Sequence, residues 1–131
     1  EKGGVRNDLG WEIYPEGIYH VLKNLACYKK PLYITENGLA DAKDSRRAKF
    51  IVDHLFWIHK AIEDGADVRG YFHLSLLDNF EWAHGFAPRF GLVEVDYKTQ
   101  ERRPRPSSKV YGEIAAANGI TEELIAKTGG R

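Results

Sequence analysis

Residues 31–41, PLYITENGLAD, combine an apolar run with a polar segment that follows it directly. Its part LYIT is rich in β-forming residues and does not alternate with polar ones, which is typical of a strand covered on both faces. The run ends at Glu36, and Asn37 with Gly38 then predicts a turn. Taken alone, Glu36 is explained as well by a turn without a role as by a function. Its place at the end of a buried strand keeps the functional interpretation open.

Apolar residues at helical spacing flank this strand on both sides. Pro15 suits the first turn of a helix, and a second helix is indicated by the apolar positions from 48 to 62, with Gly65 as its stop. A second strand is predicted within VRGYFHLSLL, residues 68–77, and a third helix begins near Ser107 as its N-cap. The order helix, strand, helix, strand, helix predicts an α/β fold with parallel strands.

A long insert, residues 78–106, separates the second strand from the third helix. Within it, GLVEVDYKTQ, residues 91–100, predicts a hairpin arm. Asp78 is interpreted as the cap of a turn or of the next helix. The basic cluster near the end of the insert predicts a solvated turn; its members are Arg102, Arg103 and Arg105.

Composition narrows the function classes. The 131 residues suffice for one modest domain, and 43% hydrophobic with 29% charged residues is typical of a globular chain. The formal net charge of +0 gives no attraction to nucleic acid or to an anionic membrane. No apolar run reaches the length of a membrane span, and the histidines match no metal motif, so we expect no membrane segment, metal or cofactor. The single cysteine, Cys27, is expected to be buried on a helix.

Functional side chains of parallel α/β folds gather at the carboxyl ends of strands. Glu36 lies at such an end, and the string SLLDNFEWAHGF, residues 75–86, follows the second strand. We therefore expect Glu36, Asp78, Glu81 and Trp82 to converge on one site. Carboxylates accept hydrogen bonds from hydroxyl groups, and aromatic faces pack on the apolar faces of a pyranose ring, so this set predicts a sugar site.

Each residue also has a structural interpretation. Taken singly, Glu81 is better explained as a surface charge and Trp82 as a core anchor. His73, inside the second strand, fits packing and a barrel-lining role equally well. Phe86 and Phe90 are core residues unless the neighbouring loop forms a cleft.

Two segments, YITENG at 33–38 and SLLDNFEWAHGFAPRFGLVEVDY at 75–97, resemble the family 1 glycoside hydrolases, the β-glucosidase and β-glycosidase family. GWEIYPEGIY at 10–19 and RRPRPSSKVYGEI at 102–114 fit the same family in the same order. The resemblance implies an α/β fold, the C-terminal part of a (β/α)8 TIM barrel with its last two strand–helix units. Residues 1–131 would then be one C-terminal segment of a single catalytic barrel.

The resemblance implies a retaining hydrolase of β-linked sugars such as β-glucosides, in which Glu36 is the nucleophile of a glycosyl-enzyme intermediate. Glu81 matches the glutamate that hydrogen-bonds distal hydroxyls of the non-reducing sugar, and Trp82 matches the adjoining tryptophan. Phe90 matches an aromatic residue near the site, and Trp11 is placed at its rim.

Two departures from the family pattern bear on activity. Leu74 stands where the family usually has a tryptophan that stacks on the sugar, so this substrate-binding position keeps an apolar surface but loses the flat ring. The acid/base glutamate of the family lies in an upstream Asn-Glu-Pro motif, which these 131 residues lack. Retaining hydrolysis needs two carboxyl groups about 5–5.5 Å apart. We therefore expect the isolated chain to be inactive.

The expected partners are a small β-linked saccharide and the N-terminal remainder of the barrel, either as another chain or as a missing segment. No nucleic acid or membrane partner is expected, and the expected location is cytoplasmic. The sequence has no methionine, so we expect a cut or processed N-terminus. The alternative function is that of a non-catalytic sugar-binding or structural remnant of such an enzyme.

Overall fold

The computed structural model describes residues 4–129. Two strand–helix units come first: α1 (Glu16–Leu25), β1 (Leu32–Gly38), α2 (Arg47–Glu63) and β2 (Val68–Leu74). They are followed by β3 (Val93–Val95), β4 (Arg102–Pro104), α3 (Pro106–Ala117) and α4 (Glu122–Thr128). Short 3-10 turns occupy Ala26–Tyr28 and Trp82–His84.

The strands β1 and β2 pair in parallel, and α2 forms the crossover between them, so the predicted α/β order is confirmed. One face of this pair, the helix-covered face, packs on α1 and α2. A buried cluster on that side contains Leu22, Ile58, Ala61 and Ala66. Full burial of a leucine or isoleucine side chain stabilises a fold by about 1.5–3 kcal/mol. These contacts hold the sheet to its helices.

The opposite face of the strand pair, here called the open face, is solvent-accessible in the described chain. Tyr33 and Phe72 lie on this face and are 57% and 58% exposed. A Cβ atom on Gly70 would contact both rings, so the three residues share one side of the sheet. Strand residues alternate between faces, so the open face carries every second residue of each regular stretch.

A second core lies between α2, α3 and α4, away from the strand pair. Its buried members come from five regions of the chain: Leu39, Phe50, Ile51, Val52, Leu92, Val110, Ile114 and Leu124. Leu39 and Leu92 belong to loops that follow β1 and β2. This core therefore attaches those loops to the helices.

The observed helices agree with the sequence pattern except at their ends. α2 stops before Gly65, which has a φ of +93°. α3 begins at Pro106, with Arg105 rather than Ser107 at the N-cap. α4 was missed because it has only seven residues, although Thr121 caps it by accepting a hydrogen bond from the Leu124 amide at 3.2 Å.

Two local predictions are wrong, and one is confirmed. Glu36, Asn37 and Gly38 do not form a turn but continue β1, because Asn37 and Gly38 still pair with β2. Cys27 is exposed, since it lies on the 3-10 turn that follows α1. The predicted hairpin is present as the antiparallel pair β3 and β4.

A membrane-spanning helix must be long and apolar enough to cross the hydrocarbon core of a bilayer. Between residues 4 and 129, every helix is too short or too polar to cross a membrane.

The close pairing at the end of β1 requires a glycine at position 38. A Cβ atom there would lie 1.7 Å from the backbone oxygen of Leu74. We expect Gly38→Ala to lower the free energy of unfolding by about 1–3 kcal/mol or more, because the strands must separate. Gly112→Ala is the control, since its Cβ would meet nothing within 4 Å inside α3, and it should stabilise by about 0.5–1 kcal/mol. Urea unfolding of both variants measures the difference, and equal effects would contradict the steric argument.

Candidate functional site

The end of β1 contains an irregularity that determines where Glu36 lies. The register places two β1 residues, Thr35 and Glu36, opposite the single β2 residue Phe72, so β1 contains a β-bulge. In a regular strand Glu36 would follow Ile34 onto the helix-covered face. Because of the extra residue, Thr35 and Glu36 are both exposed. The bulge therefore turns the carboxylate of Glu36 away from the helices.

The end of β2 lies directly beside the end of β1. Leu74, the last residue of β2, pairs with Gly38, and the peptide bond between Leu74 and Ser75 is cis. Alternation from Phe72 places Leu74 on the open face. The next residues run alongside residues 90–93, with the Ser75 amide donating to the Phe90 oxygen at 3.1 Å. Both carboxyl strand ends thus meet at one sheet edge, as expected from the parallel order.

Asp78 does not face the site but lies buried beneath it, with its side chain fully inaccessible. Arg105 donates to both carboxylate oxygens of Asp78, at 3.0 and 3.1 Å, and Arg89 donates at 3.2 Å. The backbone amides of Gly91 and Val95 donate to the same carboxylate, at 2.9 and 3.2 Å. The prediction of Asp78 as a cap and site residue is therefore wrong, since an ion-paired carboxylate saturated with five donors has no free acceptor for a ligand.

These contacts also shift the ionisation of Asp78. Burial alone would raise the pKa of its carboxyl group, but the hydrogen bonds from Arg105, Gly91 and Val95 outweigh burial and lower the pKa below 3.8. Arg105, expected in a solvated turn, is buried as the partner of this carboxylate. Sequence reasoning missed the pair because its members lie 27 positions apart.

Glu81 and Trp82 lie on a tight turn that follows Asp78 in the chain. The Glu81 amide donates to the Gly85 oxygen at 2.7 Å, and the Gly85 amide donates to the Trp82 oxygen at 3.0 Å. Asn79 supports the turn, since its Oδ1 accepts a hydrogen bond from the Ser75 hydroxyl at 3.0 Å. Trp82 is 82% exposed, so its ring is not a core anchor in the described chain.

An aromatic group supports the same loop from the other side. The Phe86 ring lies 5.2 Å from that of Phe80 and 4.7 Å from that of Tyr97, measured between centroids. The Arg89 guanidinium lies 4.5 Å from the Tyr97 centroid, a cation–π distance. The loop that carries Glu81 is therefore braced by both ionic and aromatic contacts.

The remaining sequence-predicted residues occupy supporting positions. Phe90 is only 2% exposed, and its ring lies 6.5 Å from that of Trp11, which is half exposed at the surface. A contact between Phe90 and a sugar stays a prediction. His73 lies on the helix-covered face near the Tyr111 ring, at 6.0 Å, so it does not point to the open face.

A protein metal site needs several ligating side chains gathered around one point. In the part of the chain from residue 4 to residue 129, His, Cys, Asp and Glu side chains form no group of three or more that could hold a metal ion.

A family model and individual relatives both place this sequence among the same group of enzymes. Residues 2–120 match the family model for glycosyl hydrolase family 1. The chain is 52% identical over 119 residues to a beta-galactosidase of Sulfolobus acidocaldarius and 43% identical over 133 residues to beta-glucosidase A of Thermotoga maritima. These alignments cover 90% and 93% of this chain but only 24% and 30% of the relatives, so the chain spans about a quarter of their length.

Solved structures agree with this similarity. The beta-glycosidase from Pyrococcus horikoshii superposes with a TM-score of 0.93 at 56% identity, covering 98% of this chain and 30% of that one. The family 1 beta-glucosidase from Thermotoga maritima superposes with a TM-score of 0.88 at 41% identity, covering 93% and 30%. Such enzymes are (β/α)8 barrels, so the predicted fold class, part of a TIM barrel, is confirmed.

The buried pair of Asp78 and Arg105 predicts a large and pH-dependent effect on stability. We expect Asp78→Asn to lower the free energy of unfolding by roughly 3–5 kcal/mol, because the Arg105 charge remains buried without its partner. Asp67→Asn is the control: it removes the partner of Arg69 at the surface and should cost nothing measurable. Urea unfolding at neutral pH compares the variants, and similar losses would contradict the role of burial.

The acid range gives a second test of the same pair. The pKa of Asp78 is lowered by folding, so its stabilising contribution is complete above the ordinary value of 3.8 and is lost as pH falls through the lowered value. The free energy of unfolding of the parent should therefore decline more steeply in acid than that of Asp78→Asn. Parallel curves for the two proteins would show that Asp78 is not preferentially ionised in the fold.

Proposed function

Because the chain belongs to glycosyl hydrolase family 1, we propose that it forms part of a retaining β-glycosidase that cleaves β-linked sugars through an intermediate on Glu36. The observation that supports this most directly is the bulge at the end of β1. It leaves Glu36 exposed at the carboxyl end of β1, beside the carboxyl end of β2. The loop that carries Glu81 and Trp82 begins at that same edge. This shared origin supports the proposal that Glu36 is the nucleophile and that the Glu81 loop forms the sugar-binding surface beside it.

The proposed reaction needs Glu36 as a carboxylate. One of its oxygens bonds to the anomeric carbon while the glycosidic C–O bond breaks, and the leaving oxygen takes a proton from a second carboxylic acid. Water then attacks the same carbon, gives its proton to that second group, now a base, and releases Glu36 as a carboxylate. The proposed source of the second group is a segment upstream of this chain.

The exposed turn would form the sugar subsite. The Glu81 carboxylate can accept hydrogen bonds from two neighbouring hydroxyls, and the exposed indole of Trp82 offers an apolar face to the ring. Leu74 lies on the open face between this turn and Glu36 in chain order, and would provide an apolar contact without a flat ring. The proposed substrate is therefore a β-glucoside or a related small saccharide.

The open face supports the proposal of a barrel partner. Tyr33 and Phe72 are large apolar side chains that are more than half exposed on one face of a two-stranded sheet. A contiguous exposed apolar surface of this kind marks an interaction site, and a closed barrel would cover it with side chains from other strands. We propose that the N-terminal remainder of the barrel covers this face and supplies the proton donor.

Labelling of the nucleophile tests the proposed function. The protein for this test is the completed barrel, defined as the Sulfolobus acidocaldarius beta-galactosidase in which the 119 matching residues are replaced by those of this chain. A 2-deoxy-2-fluoro glycoside should label Glu36, and Glu36→Gln should abolish both labelling and turnover, because an amide is a far poorer nucleophile. Peptide mapping by mass spectrometry identifies the labelled residue.

Two controls accompany that measurement. The isolated 131-residue chain should release no nitrophenol from p-nitrophenyl β-glucoside at an enzymatic rate, because it lacks the second carboxyl group. Circular dichroism and cooperative thermal unfolding establish that the completed barrel is folded. A folded barrel that hydrolyses the substrate but is labelled elsewhere would falsify the assignment of Glu36.

A second prediction concerns the substitution at position 74. In the completed barrel, Leu74→Trp should lower the Michaelis constant for a β-glucoside roughly two- to tenfold, if stacking contributes about 0.5–1.5 kcal/mol. Leu74→Phe is the matched variant, with a flat ring of smaller area and an intermediate effect. An unchanged or raised constant in both folded variants would mean that the pocket is shaped around leucine.

The alternative of a non-catalytic sugar-binding remnant is favoured by Leu74 itself, which lacks the stacking ring expected there. The two functions predict different results from the same material. If the chain is a non-catalytic remnant, the completed barrel should bind a β-glucoside, but Glu36 should not be labelled and the substrate should not be turned over.

A further inference from the structure

Asn37, the residue after Glu36, is held from behind the sheet. The Tyr71 hydroxyl donates a hydrogen bond to Oδ1 of Asn37 at 2.9 Å and lies 3.4 Å from the backbone oxygen of the same residue. Tyr71 belongs to β2 and packs on the helix-covered face, where it contacts the cluster beneath the sheet. One tyrosine of the second strand therefore contacts the first strand directly after its bulge.

We propose that Tyr71 is a positioning residue which, through Asn37, keeps Glu36 turned to the open face. The inference rests on the proposed function, because it concerns the placement of the proposed nucleophile. It assigns to Tyr71 no contact with the sugar and no part in proton transfer.

The argument follows from strand geometry. Side chains alternate with a period of two, so a shift of one residue moves a side chain to the other face of the sheet. Ile34 lies on the helix-covered face, and the hydrogen bond from Tyr71 holds Asn37 toward the same side. Two residues must then fit between these fixed points, and both Thr35 and Glu36 are exposed. Loss of the bond would allow the strand to become regular, with Glu36 rotated toward the helices.

The groups around Tyr71 keep its hydroxyl protonated. Its ring lies 6.2 Å from that of Tyr111, whose hydroxyl donates to the Tyr71 backbone oxygen at 3.4 Å. His73 Nδ1 lies 3.4 Å from the Tyr71 hydroxyl. Burial raises the pKa of Tyr71, while burial and nearby positive charge lower the pKa of His73 to about 3. Both side chains are therefore uncharged at neutral pH, and Tyr71 retains the proton that it donates.

Tyr71→Phe tests the inference because it removes the hydroxyl and keeps the ring that packs in the core. Tyr111→Phe is the matched control, since it removes a hydroxyl from the same apolar region without touching Asn37. In the completed barrel, the rate constant for labelling by a 2-deoxy-2-fluoro glycoside should fall roughly 10–100-fold in Tyr71→Phe, the scale expected when a reacting group is misplaced by about 1 Å. The concentration of reagent at half-maximal labelling rate should change little.

The labelling result separates positioning from general damage. A slower labelling step with unchanged reagent binding in Tyr71→Phe, and parent behaviour in Tyr111→Phe, supports the inference. Parent-like labelling in Tyr71→Phe, or an equal loss in both variants, overturns it. Asn37→Ala and the double variant form a cycle with Tyr71→Phe, and the double variant should lose no more than Asn37→Ala does alone.

A second measurement distinguishes failure of this inference from failure of the proposed function. Amide hydrogen exchange of the peptide containing residues 35–38 should rise in Tyr71→Phe and stay unchanged in Tyr111→Phe, whether or not labelling occurs. If the parent barrel is not labelled at Glu36, the proposed function fails. The amide-exchange measurement then still tests whether the Tyr71–Asn37 hydrogen bond holds this segment of β1. If the exchange of residues 35–38 does not rise in Tyr71→Phe, the positioning role of Tyr71 is overturned, even when Glu36 is labelled. Should Tyr71→Phe not fold, Asn37→Ala provides the same two measurements.

Discussion

The buried carboxylate of Asp78 binds groups that lie 11 to 27 positions away along the chain. Its donors come from the loop after β2, from the β3–β4 hairpin and from the residue that precedes α3. A charge without access to solvent is tolerated only when it is paired and hydrogen-bonded, and this carboxylate has both kinds of partner. The segment bearing Glu81 and Trp82 begins directly after Asp78, so the buried carboxylate fixes the residue from which this segment starts.

A second polar network connects the loop after β1 to the group of residues around Asp78. The Arg47 side chain, which is fully inaccessible, donates to the backbone oxygens of Asp41 at 2.7 Å and Arg89 at 2.8 Å. It also pairs with Asp44, which accepts hydrogen bonds from the amide and hydroxyl of Ser107 at the start of α3. Arg89 joins the two networks, since its guanidinium binds Asp78 and its carbonyl accepts from Arg47. The loops at the two strand ends are thereby fixed relative to each other.

The molecule has a supporting side, made of the helices and buried ion pairs, and a solvent-accessible side, which contains the open face and the residues at the strand ends. Helices, buried ion pairs and backbone hydrogen bonds hold the strand ends, while Glu36, Trp82 and the open face remain accessible. A site built in this way relies on supporting residues that never contact a ligand, because a displacement of about 1 Å at a reacting group can reduce a rate a hundredfold. Tyr71 exemplifies such support, reaching the strand that carries Glu36 from the side opposite to the proposed substrate.

Features that depend on local pattern follow from the amino-acid sequence alone. Apolar spacing predicted α1, α2 and the existence of α3, the non-alternating run predicted β1, and strand order placed Glu36 and the Glu81 loop at the same end of the sheet. These predictions succeed because helical and strand periods are encoded within a few neighbouring residues. The short α4, with two turns only, was not distinguished by pattern, although Thr121 and the acidic residues after it carry the signal of a helix start.

The pairing of polar groups, and the face of the sheet that each strand residue takes, depend on the tertiary structure. Arg105 reads as part of an exposed basic cluster, but in the fold it is buried against Asp78, because pairing energy depends on distance in space and not on separation in sequence. The orientation of Glu36 depends on one extra residue in β1, and that bulge exists only in relation to the register of β2. Hydrogen bonds across the sheet, such as that from Tyr71 to Asn37, arise only after both strands are aligned, and so no local pattern contains them.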